Sequence, residues 1–83
     1  MLLTTVESST LAVVAYEASS QLLWLEFRSG KVYRYFDIPP AVHQNLIQAV
    51  SKGAYFNRII RGRFPYSREA HDIRQSWVSS SQS

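Results

Sequence analysis

Up to Phe36 the apolar positions of this chain fall in short runs; after Pro40 they recur at helical spacing. The run "LAVVAYE" at residues 11–17 is rich in β-branched and aromatic residues and predicts a strand. "ASSQ" reads as a turn. "LLWLEFR" at 22–28 predicts a second strand, with Leu23, Leu25 and Phe27 on one face and Leu22, Trp24, Glu26 and Arg28 on the other. "SG" is a tight turn, and "KVYRYF" supplies a third strand. Short connections make the neighbouring strands antiparallel.

Two hairpin registers compete after Phe27. A two-residue loop at Ser29 and Gly30 pairs Phe27 with Val32 and sends Tyr33 and Tyr35 to the Trp24 face. A three-residue loop, Arg28-Ser29-Gly30, pairs Phe27 with Lys31 and places Gly30 at the left-handed position of a bulge. The second is preferred, because Gly30 meets a positive φ at no steric cost. It also sets Leu25 opposite Tyr33 and Leu23 opposite Tyr35, aromatic–aliphatic pairs each worth about 0.2–1 kcal/mol.

Helical spacing begins in "DIPPAVHQNLIQAVSKG". Pro39 forces Ile38 to be extended, and Pro40 suits a first helical position. Val42, Leu46, Ala49 and Val50 form an apolar stripe, and Gly53 is placed to stop the helix. "AYFNRIIRG" predicts a short second helix ending at Gly62, with Phe56, Ile59 and Ile60 inside and Asn57, Arg58 and Arg61 outside. Ser51 is its candidate cap. His43 is expected on the solvent side of its helix or near the Asp37 turn. Phe64 and Tyr66 can still pack; beyond Arg68 a loose tail is expected, with a helical turn or two around 69–77.

The predicted architecture is α+β: a three-stranded antiparallel meander followed by two helices packed on one face, β-β-β-α-α. The single domain spans residues 6–66, and 67–83 form the tail. The other sheet face is left for water or a partner.

Composition agrees with a folded domain. The chain has 83 residues, 46% of them hydrophobic and 13% aromatic. It has no cysteine, which excludes disulfides, thiolate metal sites and thiol chemistry and suits a reducing cytoplasm. The start "MLLTTVESS" has no basic n-region, so no signal peptide is read there. No apolar run approaches the roughly 18 residues of a membrane span.

Charge changes the picture more. The net charge is +3, unevenly spread: residues 1–27 hold Glu7, Glu17 and Glu26 with no Lys or Arg, and residues 51–68 hold Lys52, Arg58, Arg61, Arg63 and Arg68 with no acid. Such asymmetry bears on association.

The stretches "VESSTLAVVAYE", "FRSGKVYRYFDIPP" and "LIQAVSKGAYFNRIIRGRF" together resemble the KTSC domain, which is named for the C-terminus of certain lysyl-tRNA synthetases and also occurs as a small stand-alone bacterial protein. The resemblance covers residues 6–66. Its motif positions fall on Tyr33, Tyr35, Pro39, Ser51, Gly53, Tyr55, Phe56, Asn57, Ile60 and Arg61. The family has no established activity. Attachment to a synthetase implies RNA binding, although no synthetase domain is part of this sequence.

The arginine-rich stretch reads either as an electropositive edge that follows a phosphate backbone, with Tyr55, Phe64 and Tyr66 nearby for stacking, or as a solvated face. Five phosphate contacts to a single strand would give a salt slope of about −3.5. The tyrosine pair is either a stacking platform, as on RNA-reading sheets, or a core pair; the preferred register favours core. Trp24 and Phe36 are then the exposed aromatics, with Arg34 close enough for a cation–π contact.

The expected function is a small non-catalytic module that binds RNA or single-stranded nucleic acid through Arg58, Arg61, Arg63, Lys52, Arg34 and Trp24. The alternative is a protein-interaction or homodimerisation module using the sheet face or Trp77 and Val78. No cofactor, metal or membrane is expected, and the oligomeric state is a monomer or weak homodimer. His43 and His71 lack partners at metal spacing. The serines cluster in turns and the tail, the acids stand singly, and no glycine-rich phosphate loop is present, so no enzyme is read.

Overall fold

A computed structural model of the chain describes residues 2–69. Five strands, β1 (Leu2–Thr5), β2 (Leu11–Glu17), β3 (Leu22–Phe27), β4 (Val32–Tyr35) and β5 (Tyr66–Glu69), form one antiparallel sheet in the order β1-β2-β3-β4-β5. Between β4 and β5 lie helix α1 (Pro40–Gln48), a single helical turn α2 (Lys52–Tyr55) and a π-helical turn, Phe56–Ile60. The class is α+β, but the expected three-stranded meander is the centre of a five-stranded one.

The two strands missing from the sequence reading are the edges. β1 and β5 are four residues each, too short to show a period; β1 is mostly exposed, and β5 alternates exposed and half-buried residues. Each is held by one neighbour, Thr5 opposite Val13 and Tyr66 opposite Tyr35. Of the helical turn or two expected around 69–77, Glu69 instead ends β5, and the rest, with Trp77 and Val78, lies outside the described residues.

The preferred hairpin register is the observed one. Leu23 faces Tyr35, and Leu25 faces Tyr33. Phe27 N–H donates to Lys31 O at 2.8 Å, and Gly30 N–H donates to Phe27 O at 2.9 Å with Gly30 at φ +94°. A left-handed glycine lets three residues turn the chain without a Cβ clash.

That register gives the sheet two unlike faces. Leu11, Val14, Tyr16, Leu23, Leu25 and Tyr35 point to the helices and share a core with Ile38, Leu46, Phe56 and Ile60. Val13, Ala15 and Val32 point the other way and form a second buried cluster with Ala12 and Trp24 at its margin. A bulge in β2 between Leu11 and Val13 lets Leu11 join Val14 and Tyr16 on the helix side. The expectation of an open second face fails at its centre, where Val13 and Ala15 are 0% exposed.

Local chemistry sets the helix ends. Pro40 opens α1 as predicted, with extended Pro39 before it. α1 stops at Gln48, before the expected Gly53, and Val50 points into solvent. Gly53 has another use: a Cβ there would stand 2.5 Å from Thr10 Oγ1, so only glycine lets α2 approach the β1–β2 loop this closely. Ser51 caps α2, its hydroxyl accepting from Ala54 N–H at 3.3 Å. The π turn closes with Arg61 N–H on Phe56 O at 2.9 Å. Arg28 ties down the β1–β2 loop, donating to Ser8 O and Val6 O at 3.0 Å each.

Candidate functional site

The helical layer stops short of the β4–β5 edge, and a cleft opens there. Phe27 on β3, Tyr33 and Tyr35 on β4, Tyr66 on β5, and Phe56 and Arg61 at the two ends of the π turn line a cavity of about 220 Å³. β4 puts both tyrosines on the helix side because they are two residues apart. β5 brings Tyr66 opposite Tyr35. Arg61 stands there because the widened turn ends at Ile60 and Arg61 itself is extended (φ −65°, ψ 126°).

The rings brace one another. Phe27 meets Tyr33 edge-on at 5.7 Å and Phe56 at 5.3 Å. Tyr35 meets Phe56 edge-on at 5.7 Å and lies tilted against Tyr66 at 5.4 Å. Tyr33 meets Tyr66 edge-on at 5.7 Å. Such pairs are each worth about 0.5–1.5 kcal/mol beyond the area they bury. Tyr35 is 4% exposed and Tyr66 58%, so the cleft runs from core to solvent. The Tyr35 hydroxyl is pushed up to about 12, mostly by burial, with Tyr66 and Tyr33 adding to the rise and the Arg61 charge opposing it. It therefore stays protonated at neutral pH and can both donate and accept a hydrogen bond. Flat apolar walls, a neutral phenol and one guanidinium suit a planar, anionic guest.

The residues expected to act together are divided by the sheet. Arg58, Arg61 and Arg63 are exposed on the helical side. Arg58 lines a second hollow, between α1 and α2. Lys52 is spent on structure: its ammonium donates to Ala49 O at 3.1 Å, beyond the end of α1. Trp24 and Arg34 are opposite each other on β3 and β4, on the second face. Trp24 is half-buried against Val13, Ala15 and Val32. Arg34 pairs with Glu69 (Nε to Oε1, 3.2 Å) and lies over the Phe36 ring at 5.2 Å. The expected cation–π contact exists, but on the far side from the arginine cluster.

Phe27 and Phe56 are absent from the expected site, whereas Tyr66 is expected there as a stacking ring near the basic stretch. The preferred register already put Phe27 beside Tyr33; Tyr66 needed β5. His43 also departs from expectation. Its ring stacks on Tyr16 at 4.3 Å and 12°, and burial holds its pKa below the usual value. Tyr16 beneath it donates to Ile38 O at 2.6 Å, and burial pushes that phenol up. Among the described residues no group of three or more His, Cys, Asp or Glu side chains could hold a metal ion, and no helix is long and apolar enough to cross a membrane.

The KTSC domain family model matches residues 7–64, which takes in every cleft residue except Tyr66. The chain belongs to the KTSC domain family. The crystal structure of a KTSC domain protein from Yersinia pestis is similar, with a TM-score of 0.79 at 32% identity, covering 82% of this chain and 96% of that one. The lysine–tRNA ligase of Nostoc punctiforme is 44% identical over 62 residues, which make up 75% of this chain and 11% of the ligase. A protein of Tsukamurella paurometabola is 39% identical over 59 residues, 71% of this chain and 88% of that protein. This KTSC domain thus spans about a ninth of the ligases it matches and most of its small relatives. Within its matched segment, Tyr33, Tyr35, Phe56 and Arg61 converge on one cleft.

Proposed function

We propose that this KTSC domain is a non-catalytic module that binds single-stranded nucleic acid, RNA foremost, at the aromatic cleft and the arginines beside it. The observation that carries this reading is the cleft: five aromatic rings around about 220 Å³ with the Arg61 side chain in the wall. A base has a π face for such rings, and stacking is worth about 1–3 kcal/mol per base. A guanidinium fork fits phosphate oxygens and can lie flat on a base. Arg58 and Arg63, exposed on the same helical side, extend the positive surface. The relatives named lysine–tRNA ligase, which act on an RNA, lend support. A chain without cysteine suits the reducing cytoplasm, where such a ligand is met.

Fluorescence anisotropy with labelled single-stranded RNA at 50 and 200 mM salt tests this. Three arginine–phosphate contacts give a slope of about −2, hence affinity roughly 20-fold weaker at the higher salt. No binding at low salt sinks the proposal.

One observation favours a second reading, a contact between copies. Edge strand β1 exposes Leu2 (60%) and Leu3 (44%) and carries no charge or proline to blunt it. A molar mass by light scattering that stays monomeric as concentration rises removes that reading.

A further inference from the structure

The two edges of the sheet are unlike. β5 carries Arg68 and Glu69, charges that blunt an edge against a further strand. β1, "LLTT", carries none, and its Leu2, Leu3 and Thr5 are exposed. It stands at the end of the strand order, with no strand beyond it among the described residues.

The bonding of β1 to β2 decides which backbone groups face outward. Val6 N–H donates to Ala12 O at 3.1 Å, one step beyond the pairing of Thr5 with Val13. In an antiparallel ladder alternate residues bond to the same neighbour, and those between turn their groups the other way. Leu2, Thr4 and Val6 therefore bond toward β2. Leu3 and Thr5 turn their N–H and C=O groups to the open edge.

An edge of this kind is complementary to itself. A second, antiparallel copy of β1 with Leu3 opposite Thr5 pairs both donors and both acceptors of each chain, in four hydrogen bonds. Thr4 then faces Thr4 across the two-fold axis, and exposed Leu2 comes beside Val6 of the second copy. With Leu3 opposite Leu3 instead, Thr5 has no partner inside β1. No charge lies on the edge to oppose the pairing.

We infer that β1 pairs with β1 of a second copy in the Leu3–Thr5 register, joining two five-stranded sheets into one of ten strands. The inference rests on the reading of β1 as a contact between copies and adds its register and symmetry. The two-fold closes the assembly and leaves the charged β5 edges outermost, which stops growth into a fibre. Two four-residue strands bury less than the roughly 1,200 Å² of a standard interface, so the dimer forms at high concentration and separates on dilution.

The chain has no cysteine, so single cysteines report the register. Opposed residues of a non-hydrogen-bonded pair stand about 4.5 Å apart at Cα, within the roughly 4.4–6.8 Å span of a disulfide. Leu3 meets its own image only on the diagonal, about 7–8 Å away, too far to bridge. Thr4→Cys should therefore form disulfide-linked dimers on mild oxidation roughly tenfold faster than Leu3→Cys. Equal rates, or faster linkage at Leu3, overturn the register while leaving a contact between copies in place. Light scattering of the native chain should show a mass that climbs from monomer toward dimer with concentration, and Leu3→Lys should abolish the climb. A native mass fixed at the monomer removes both the register and the contact, and a climb undiminished in Leu3→Lys excludes β1 as the surface.

Discussion

The two faces of this sheet come from alternate residues of the same strands, yet they hold different chemistry. The helix side mixes large aliphatics with aromatics, and its core thins toward β5 until Tyr33, Tyr35, Phe56 and Tyr66 line a cleft. The second side holds small residues at its centre, Val13, Ala15 and Val32, and an Arg34–Glu69 pair at its rim. A small domain has little surface to spare, and here the middle of both faces goes to burial. The proposed recognition site lies at the edge, where aromatic rings meet water.

The sharpest way to break this comparison is to remove packing from each face in turn. Leu25→Ala, at 0% exposure on the helix side, should cost about 2–5 kcal/mol in urea unfolding. Val13→Ala should cost about 2 kcal/mol, from roughly 0.8 per buried methylene plus the cavity left behind. A loss below about 0.5 kcal/mol, usual for a surface change, would mean that the second face is wet after all.

Function should divide as stability does not. Tyr66→Ala removes a half-exposed ring from the cleft and should weaken single-stranded RNA binding by about 1–3 kcal/mol, roughly 5- to 150-fold. Arg34→Ala breaks an ion pair on the other face, costs under about 1 kcal/mol of stability, and should leave RNA affinity unchanged. Anisotropy titrations of the two variants under one salt condition decide it. Equal losses would dissolve the distinction between the faces.

The smallest effect comes from His43. Burial against Tyr16 lowers its folded pKa below the ordinary 6.5, so the unfolded chain takes up the proton first as pH falls. The stability gained from keeping the ring neutral is present above about 6.5 and is lost as pH drops from there through the folded pKa. Urea midpoints should fall between pH 7.5 and pH 5.5 in the native sequence and fall less in His43→Gln. An identical slope in both would remove His43 as the cause.

The centre of the fold was legible because its signals are local. Gly30 selects the hairpin register, Pro40 opens α1 and Ser51 caps α2, and each acts within a few residues of itself. β5 was not legible, because "YSRE" is an edge strand whose pairing with β4 spans some thirty residues of chain. The site suffered most from that omission. Without β5, Tyr66 has no place beside Tyr35, and Arg34 has no Glu69. The unbroken apolar run "LAVVAY" already pointed to a strand buried on both sides, since an open face would have alternated. Arg61 could not be placed by helical spacing, because the π turn shifts it from the arc an α-helix would give.

Backbone and side-chain resonance mapping during titration with a short single-stranded RNA tests the central claim most directly, because it reads both faces at once. Shifts should concentrate on Phe27, Tyr33, Tyr35, Phe56, Arg61 and Tyr66, while Val13, Ala15, Trp24 and Arg34 stay unmoved. Shifts centred on Trp24 and Arg34, with the cleft silent, would contradict the assignment of recognition to the helix-side edge.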